Sequence, residues 1–339
     1  MKMKKITDQF NRPIKDLRIS VMDTCNYRCP YCMPAEKFDE NYKFLSPDQR
    51  LNFDEICEIV NIFSEFGVSK IRLTGGEPLL RKNLPNLIHQ LKSIANIDDI
   101  ALTTNGQLLK KQLPALIEAG LDRINISLDT INPELYHKMS GYKGHLKKVL
   151  EGIDFAIHSP LKSIKLNCVV QLGINHEEII PLLEKYRDTR AVVRFIEYMD
   201  VGTKNDWEKS KVMPYKDILK IIESQWPLET LEPHYRGEVA NRYRYKDNAG
   251  EIGFITSITE PFCQDCSRAR LSADGKLYTC LFAHKYHDLK SFLRNKNNKE
   301  TLQNHIKNIW LNRNDRYSEI RHELKQDNNK KIEMYVIGG

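Results

Sequence analysis

The stretch "LRISVMDTCNYRCPYC", Leu17 to Cys32, joins a short apolar run to a loop that holds three cysteines. The run predicts a β-strand, and the polar loop after it marks the carboxyl end of that strand. The loop spaces Cys25, Cys29 and Cys32 as C-x3-C-x2-C, so all three side chains can converge on one centre. In a reducing compartment, clustered cysteines are more often metal ligands than disulfides, and the stretch therefore predicts a strand that ends at a metal site.

Five further runs of the same kind recur over the first 200 residues. Polar loops and amphipathic stretches separate them, an alternation that is typical of βαβ units and a parallel sheet. The five runs are "KIRLT" from Lys70, "DIALTT" from Asp99, "RINISLD" from Arg123, "IKLNCVV" from Ile164 and "VVRFIEYM" from Val192. Six strands are therefore predicted.

The first amphipathic stretch, "NFDEICEIVNIFSEFG", has the pattern of a helix. Asn52 and Glu55 are spaced as a capping box, and Gly67 is placed to end the helix. Its predicted buried face consists of Ile56, Ile59, Val60, Phe63 and Phe66. The stretches "LPALIEAG" and "HEEIIPLLEKY" fit the same role, although Pro114 and Pro181 leave their boundaries open.

Small and polar residues follow the strands. If the parallel strands curl together, these residues meet at one end of a barrel, where such folds place their chemistry. They are "GGEP" from Gly75, "TNG" from Thr104, "SLDT" from Ser127, Asn167 and "EYMD" from Glu197. The segments "TNG" and "SLDT" fit ordinary turns equally well. Gly75, Gly76 and Glu77 favour a ligand site, because paired glycines let a backbone approach a ligand and a carboxylate can meet an amino group.

Composition narrows the class of protein but does not identify a partner. The chain has 52 Lys and Arg against 45 Asp and Glu, a net charge of +7 that suits a polyanionic ligand or a nucleic acid equally. Acids and aliphatic residues interrupt the basic stretch "FLRNKNNKETLQNHIKN", which favours a solvated helical face over an RNA-binding arm. No apolar stretch is long enough to span a membrane, and "MKMKKITDQFNRP" lacks the apolar part of a signal peptide. We expect a cytoplasmic protein.

The first cysteine set lacks a fourth ligand nearby, since Cys57, the next cysteine, lies within the predicted helix. A structural zinc site usually takes four ligands. Three thiolates suit a 4Fe-4S cluster with one iron left open for another ligand, because such clusters usually take four cysteines. The spacing favours a cluster, and zinc remains an alternative.

A second set, Cys263, Cys266 and Cys280, has the spacing C-x2-C-x13-C. The segment "ADGK" predicts a hairpin turn that returns Cys280 to the other two. His284 and His287 follow, and either would complete a four-ligand zinc site. Spacing alone leaves both zinc and a second three-cysteine cluster open.

These motifs resemble known families. "CNYRCPYC" together with "GGEP" resembles the radical S-adenosylmethionine (SAM) superfamily. "LRISVMDTCNYRCPYCMP", "CSRARLSADGKLYTCLF" and the terminal "GG" resemble the GTP 3′,8-cyclase family of molybdenum cofactor biosynthesis over essentially the whole chain. Met22 and Thr24 depart from residues that are frequent in that family. The resemblance implies an α/β fold with a partial (βα)6 TIM-like barrel of the radical SAM type over residues 1–200, and a C-terminal α+β extension over 201–339.

The resemblance also implies the cofactors and most of the site. Two 4Fe-4S clusters would be held by Cys25, Cys29 and Cys32 and by Cys263, Cys266 and Cys280, without the two histidines. SAM would bind at Tyr31, Gly76, Glu77, Ser127 and Met199. GTP would bind at Arg18, Lys70, Arg72, Thr103, Lys165, Arg194, Arg268, Ala269 and Arg270, and the terminal Gly338 and Gly339 would reach the active site. The basic residues on the predicted strands support the GTP site independently of the resemblance. If their side chains point inward, they are costly to bury without an anion.

The reaction implied by the resemblance is radical cyclisation. An electron from the first cluster cleaves SAM, the adenosyl radical removes hydrogen from C3′ of GTP, and C3′ then attacks C8 of the guanine. A homodimer, an electron donor and a downstream cyclic pyranopterin monophosphate synthase are the implied partners, whereas a membrane and nucleic acid are not expected. Two alternatives stay open: a radical SAM enzyme that modifies a peptide or RNA, and a zinc protein that binds nucleic acid.

Overall fold

The computed structural model describes residues 5–295, 298–320 and 331–338. Among these residues the strands form one sheet in the order β12-β11-β10-β1-β2-β3-β4-β5-β6-β9-β8-β7. The strands are β1 Asp16–Ser20, β2 Lys70–Thr74, β3 Asp99–Thr104, β4 Arg123–Ser127, β5 Ser163–Val170, β6 Ala191–Glu197, β7 Leu228–Leu231, β8 Asn241–Tyr245, β9 Glu251–Ile255, β10 Arg268–Leu271, β11 Lys276–Tyr278 and β12 His287–Asp288.

Helices connect most of the strands. They are α1 Phe53–Glu65, α2 Leu84–Lys92, α3 Leu109–Glu118, α4 Pro133–Met139, α5 Leu146–Ile157, α6 Ile179–Tyr186, α7 Tyr215–Glu223, α8 Lys290–Arg294, α9 Lys299–Leu311, α10 Tyr317–Ile320 and α11 Met334–Ile337. No described helix is long and apolar enough to cross a membrane.

The predicted α/β fold with six consecutive parallel strands is confirmed, because β1 to β6 pair in chain order and in parallel. The parallel part of the sheet is larger than predicted. β9 pairs in parallel with β6, and β10 pairs in parallel with β1, so the C-terminal region supplies one more strand at each edge. The region after residue 200 is therefore built into the same sheet, and a boundary there stays a prediction.

Local sequence explains the first helix. The side chain of Asn52 accepts a hydrogen bond from the Glu55 amide (2.8 Å), and the Glu55 carboxylate accepts one from the Asn52 amide (2.8 Å). Gly67 has φ +111°, a conformation that favours glycine, and the chain leaves the helix there. The predicted capping box and the predicted end are both confirmed.

Both proline-containing stretches are helical. Pro114 lies inside α3, and Pro181 lies in the first turn of α6, where a missing amide proton costs little. The basic stretch near the C-terminus enters α9, so the predicted helix is confirmed, and α9 buries Leu302, Ile306 and Trp310. The core between sheet and helices is one large apolar cluster that includes Cys168.

Candidate functional site

One cavity is lined largely by side chains from one face of the sheet. Seven cationic residues on β1, β2, β4, β5, β6 and β10 line it, namely Arg18, Arg72, Arg123, Lys165, Arg194, Arg268 and Arg270. Strand register explains how they meet, because Arg18 lies beside Arg72 on one side and beside Arg270 on the other. Six of the seven were predicted from the sequence.

The cations of this cavity are recessed and repel one another. Burial, followed by the charges of Arg270 and Arg72, lowers the pKa of Arg18 well below its usual value. Burial and the charges of Arg194, Arg123 and Arg72 lower the pKa of Lys165 to about 7. Such a concentration of positive charge is costly without a counterion, and a bound polyanion would relieve it.

Several cavity residues already have polar partners. Arg194 donates from Nε and Nη2 to the Asn167 side-chain oxygen (3.0 and 2.7 Å), and Arg72 Nη1 donates to Thr103 Oγ1 (3.4 Å). Thr103 therefore lies in the cavity, as predicted. These contacts orient the guanidinium groups that face the space between the strands.

Three of the described residues that were predicted to bind substrate, Lys70, Ala269 and Gly338, lie outside the lining of this cavity. Lys70 places Nζ 3.5 Å from the ring centre of Tyr235, so that the tyrosine, not the lysine, faces the cavity. Ala269 is fully buried in the core, because alternate residues of β10 point to opposite faces of the sheet. Ala269 can contribute main-chain atoms and packing, and its role in binding stays a prediction.

Other lining residues were missed by the sequence reasoning. Arg123 and Asn125 share the inward face of β4, and the two-residue period of a strand could have identified them. Tyr235 and Glu238 come from the loop between β7 and β8, for which the sequence carried no signal. Arg123 is also held by Asp99, with Nε 2.6 Å from Oδ1.

The second cysteine set borders the same cavity. Cys263, Cys266 and Cys280 all line it, and β10 and β11 form the antiparallel hairpin that returns Cys280 toward the other two, as predicted. Arg268 Nη2 lies 3.3 Å from Cys266 Sγ. Burial alone would raise the pKa of Cys266, but the charges of Arg268 and Arg313 outweigh it and lower the pKa to about 6. This thiol is poised to act as a thiolate ligand.

The first cysteine set lies in the loop after β1. The Cys32 amide donates to the Cys29 carbonyl (3.0 Å), the Tyr27 amide points at Cys25 Sγ (3.4 Å), and the three sulfurs are close enough for their charges to interact. Burial raises the pKa of Cys25 and of Cys32 to about 12. A bound metal group of positive charge would lower the pKa of these thiols, because it stabilises the thiolate form.

The three-cysteine donor sets suit a four-iron cluster. Among the residues that the structure describes, no three His, Cys, Asp or Glu side chains converge at the spacing that one metal ion needs. His287 lies against His305, with ring centres 6.1 Å apart, and burial lowers its pKa. Three cysteine ligands match the ligand set of a four-iron cube with one open iron better than a four-ligand tetrahedral zinc site.

Glu77 is a buried carboxylate at the end of β2. It accepts hydrogen bonds from Thr104 Oγ1 (2.7 Å), the Asn105 amide (2.8 Å) and the Leu79 amide (3.0 Å). Burial nevertheless raises its pKa to about 7. A cationic amino group placed beside it would restore the ionised form.

The glycines before Glu77 pack closely against the loop of the first cysteines. A Cβ on Gly76 would lie 2.4 Å from the Thr24 carbonyl oxygen, and Gly76 donates its amide to the Met22 carbonyl (2.7 Å). The close approach is therefore to the loop that carries the first cysteines. The pair of glycines lets this loop pack on the end of β2, and their contact with a ligand stays a prediction.

The other predicted SAM residues lie at the ends of strands. Ser127 ends β4 and is half-buried, and Met199 follows β6 and lines the cavity. The Tyr31 carbonyl accepts from the Asn205 side chain (3.1 Å), and its hydroxyl donates to Asp129 Oδ2 (2.6 Å). Asp129, whose pKa burial raises to about 6, was not singled out from the sequence.

The C-terminal segment approaches the cavity. The Gly338 carbonyl accepts a hydrogen bond from Arg270 Nη1 (2.5 Å), and a Cβ on Gly338 would lie 2.0 Å from Thr74 Cγ2. Only glycine fits this contact with β2. Gly339 lies outside the described residues.

Comparison with known proteins places the chain in a family. Residues 19–186 match the radical SAM superfamily, and residues 191–319 match the family described as Molybdenum Cofactor Synthesis C. The chain is 48% identical over 332 residues to the GTP 3′,8-cyclase of Xanthomonas axonopodis pv. citri, covering 98% of each protein. It is 46% identical over 340 residues to the GTP 3′,8-cyclase of Staphylococcus carnosus, covering 99% of this chain and 100% of the relative.

A solved structure supports the fold independently. Streptococcus suis SuiB bound to S-adenosylmethionine has a TM-score of 0.63 and 14% sequence identity, with 88% of this chain and 69% of that protein covered. Identity at that level speaks for the fold alone. The curated relatives and the two family matches, together with the two cysteine sets and the cationic cavity beside the second of them, lead to one conclusion: the chain belongs to the GTP 3′,8-cyclase family of radical SAM enzymes.

Proposed function

We propose that this protein is a radical SAM lyase that converts GTP to (8S)-3′,8-cyclo-7,8-dihydroguanosine 5′-triphosphate, the first step of molybdenum cofactor biosynthesis. The observation that carries the proposal is the cavity itself, in which seven recessed cations lie beside the second cysteine set. A nucleoside triphosphate would offset the positive charge that remains in the cavity beyond the pairing of Arg123 with Asp99. Its base can then reach the cysteine end of the cavity.

The site residues fall into two groups, those that would hold the clusters and those that would bind the reactants. Cys25, Cys29 and Cys32 would hold the first 4Fe-4S cluster, and Cys263, Cys266 and Cys280 the second. When bound, the first cluster and SAM supply the 5′-deoxyadenosyl radical that removes hydrogen from C3′ of GTP. The protein's own residues bind, orient and shield the reactants, because hydrogen abstraction needs contact distance and no strong acid or base.

SAM binding is assigned to residues at the carboxyl ends of the strands. Glu77 would accept the amino group of the methionine moiety, which would restore the charge that burial opposes. Gly76, Tyr31, Ser127 and Met199 would surround the rest of the molecule. The hydrogen bond between Tyr31 and Asp129 fixes the loop of the first cysteines to the end of β4.

GTP binding is assigned to the cations of the cavity. Arg18, Arg72, Lys165 and Arg194 would contact the triphosphate, because guanidinium groups recognise phosphate oxygens in pairs. Arg268 and Arg270, which lie on β10 next to the second cysteine set, would contact the end of the nucleotide nearer the base. Thr103, Lys70 and Ala269 are assigned to the same nucleotide. Gly338 and Gly339 would approach the bound nucleotide through Arg270.

The wider setting is inferred from the same family. We propose a cytoplasmic homodimer that receives electrons from a reductant protein and passes its product to a cyclic pyranopterin monophosphate synthase. All eight cysteines are free in the structure, which suits a reducing compartment.

Reconstitution tests the function directly. The protein is loaded anaerobically with iron and sulfide, then incubated with SAM, a reductant and either GTP or ATP, and 5′-deoxyadenosine and cyclised nucleotide are measured. We expect cyclised product in the reaction with GTP and none in the reaction with ATP. Equal turnover of ATP would contradict the placement of guanine at the second cysteine set, and failure to form any cyclised nucleotide would favour an enzyme that modifies a peptide or RNA.

A further inference from the structure

Two buried arginines lie behind the second cysteine set, outside the cavity. Arg12 precedes β1 and Arg313 follows α9, and each side chain is 1% exposed. Neither belongs to the strands that carry the cationic cavity. Arg12 lies about 250 residues from the cysteines in the sequence, and Arg313 about 50 residues from them. Only the folded structure shows that both arginines contact the same segment.

Both arginines donate hydrogen bonds to the backbone around the cysteines. Arg12 Nη1 donates to the Cys263 carbonyl (2.7 Å). Arg313 Nη1 donates to the Cys266 carbonyl (2.7 Å), and its Nε donates to the carbonyl of Thr279 (3.1 Å), the residue before Cys280. Each of the three cysteines is thus held, at its own or the preceding carbonyl, by one of two guanidinium groups.

One carboxylate links the two arginines. Asp8 Oδ2 lies 2.6 Å from Arg12 Nε and 3.0 Å from Arg313 Nη1, and the Asp8 side chain is fully buried. Its other oxygen accepts hydrogen bonds from the amides of Phe10 (3.0 Å) and Arg12 (2.9 Å). Two cations and one anion leave the buried trio with a net charge of +1. Asp315 also approaches Arg313 Nε (3.2 Å), but its side chain is partly solvated.

Stability alone does not account for this arrangement. Buried ion pairs are often no more stabilising than apolar side chains of the same volume, because each charge is removed from water. Arg12 Nη2 is buried and has no hydrogen-bond partner among the described residues, an additional cost. What the charges provide that apolar groups cannot is a set of directed donors to three ligand-bearing segments and a positive field beside them.

We propose that Arg12, Asp8 and Arg313 form a positioning unit for the second cluster. The unit holds the backbones of Cys263, Cys266 and Cys280 in a fixed arrangement, and its net positive charge makes reduction of that cluster easier. The reason is electrostatic: reduction adds negative charge to the cluster, and nearby positive charge stabilises the reduced form. The inference rests on the proposed function, because it takes these three cysteines as cluster ligands.

Iron retention tests the positioning part. The triple variant Cys25→Ala, Cys29→Ala, Cys32→Ala isolates the second site and should bind about four iron atoms per chain. In that background, Arg313→Gln should release iron at a roughly tenfold lower chelator concentration, the usual cost of losing a partner of a metal ligand.

Two controls show whether the loss is specific. Arg316→Gln serves as the matched variant, since Arg316 is exposed and pairs with Glu319 instead of the cysteine segments. In the complementary background, with all three cysteines of the second set replaced by alanine, Arg313→Gln should leave iron at the first site unchanged. Equal losses at both sites would show a general effect on folding and overturn the proposal.

The reduction potential of the second site tests the electrostatic part. Arg313→Gln removes a positive charge and should shift the potential to more negative values, whereas Asp8→Asn removes a negative charge and should shift it the opposite way. Arg313→Lys keeps the charge and should keep the potential. If Arg313→Gln does not fold, Asp8→Asn and Arg313→Lys still test the electrostatic part.

Opposite shifts separate this role from simple loosening of the site, which would move both variants in the same direction. Shifts of one sign, or none, would overturn the inference and leave the proposed function intact. If the triple variant that retains only the second set binds no iron at all, the ligand assignment fails and the inference fails with it.

Discussion

Lys165 offers the sharpest test of the triphosphate site. Burial and three neighbouring arginines lower the pKa of its amine from 10.5 to about 7. At about 1.36 kcal/mol for each pH unit, this corresponds to about 5 kcal/mol of unfavourable interaction for the charged form. The sign follows directly: between pH 7 and 10.5 the unfolded chain binds more protons at this residue, so the free energy of unfolding should rise with pH across that range.

Binding of GTP should reverse the shift, because the triphosphate restores the favoured charge of the amine. At pH 8 about nine tenths of the Lys165 amines are neutral in the free protein, so binding should take up about 0.9 proton at this residue. Calorimetric titration of the cluster-loaded protein with GTP, in two buffers of different ionisation enthalpy, measures the uptake.

A matched pair of variants isolates the residue. Lys165→Met should lower the proton uptake by about 0.9 per GTP, whereas Lys162→Met should leave it unchanged, because Lys162 is exposed and pairs with Asp122. Equal proton uptake by the wild type and Lys165→Met would refute the reasoning, and it would remove Lys165 from the triphosphate site.

Three further predictions concern backbone contacts and the tail. Gly76→Ala should disrupt the loop of the first cysteines, because its Cβ would lie 2.4 Å from the Thr24 carbonyl oxygen; iron content of the first site measures this, and full retention would contradict it. Asn52→Ala should lower the free energy of unfolding by about 1 kcal/mol through loss of the capping hydrogen bond to Glu55, and an unchanged urea midpoint would argue against it. Deletion of Gly338–Gly339 should impair GTP cyclisation while leaving iron content unchanged; unaltered turnover would show that the tail has no part in the reaction.

Regular periodicity explains how much of the fold the sequence could predict. The apolar runs of β1 to β6 and the capping box of α1 are local signals, and each was found at its predicted place. The strands β9 and β10 were not assigned to the parallel sheet, because their partners lie far away in the chain. Pairing of strands that are distant in the chain depends on the packing of the whole sheet and not on either strand alone.

The candidate site also contains residues that the sequence could predict and residues that it could not. Arg18, Arg72, Lys165 and Arg194 could be predicted, since the two-residue period of a strand places them on one face. Lys70 shares that period, yet Tyr235 covers it, and the loop that brings Tyr235 carries no recognisable motif. The paired glycines before Glu77 were predicted to approach a ligand, and the structure shows that they also pack on the cysteine loop.

By itself, the sequence determined the two cysteine sets, the six consecutive strands and the family, because these depend on spacing and order along the chain. Only the tertiary structure decided which cations share a cavity, and that Asp8 reaches across 305 residues to Arg313 behind the second cysteine set. The physical reason is that local spacing constrains neighbours in the chain, whereas burial brings together charges whose cost can be judged only once their partners are known.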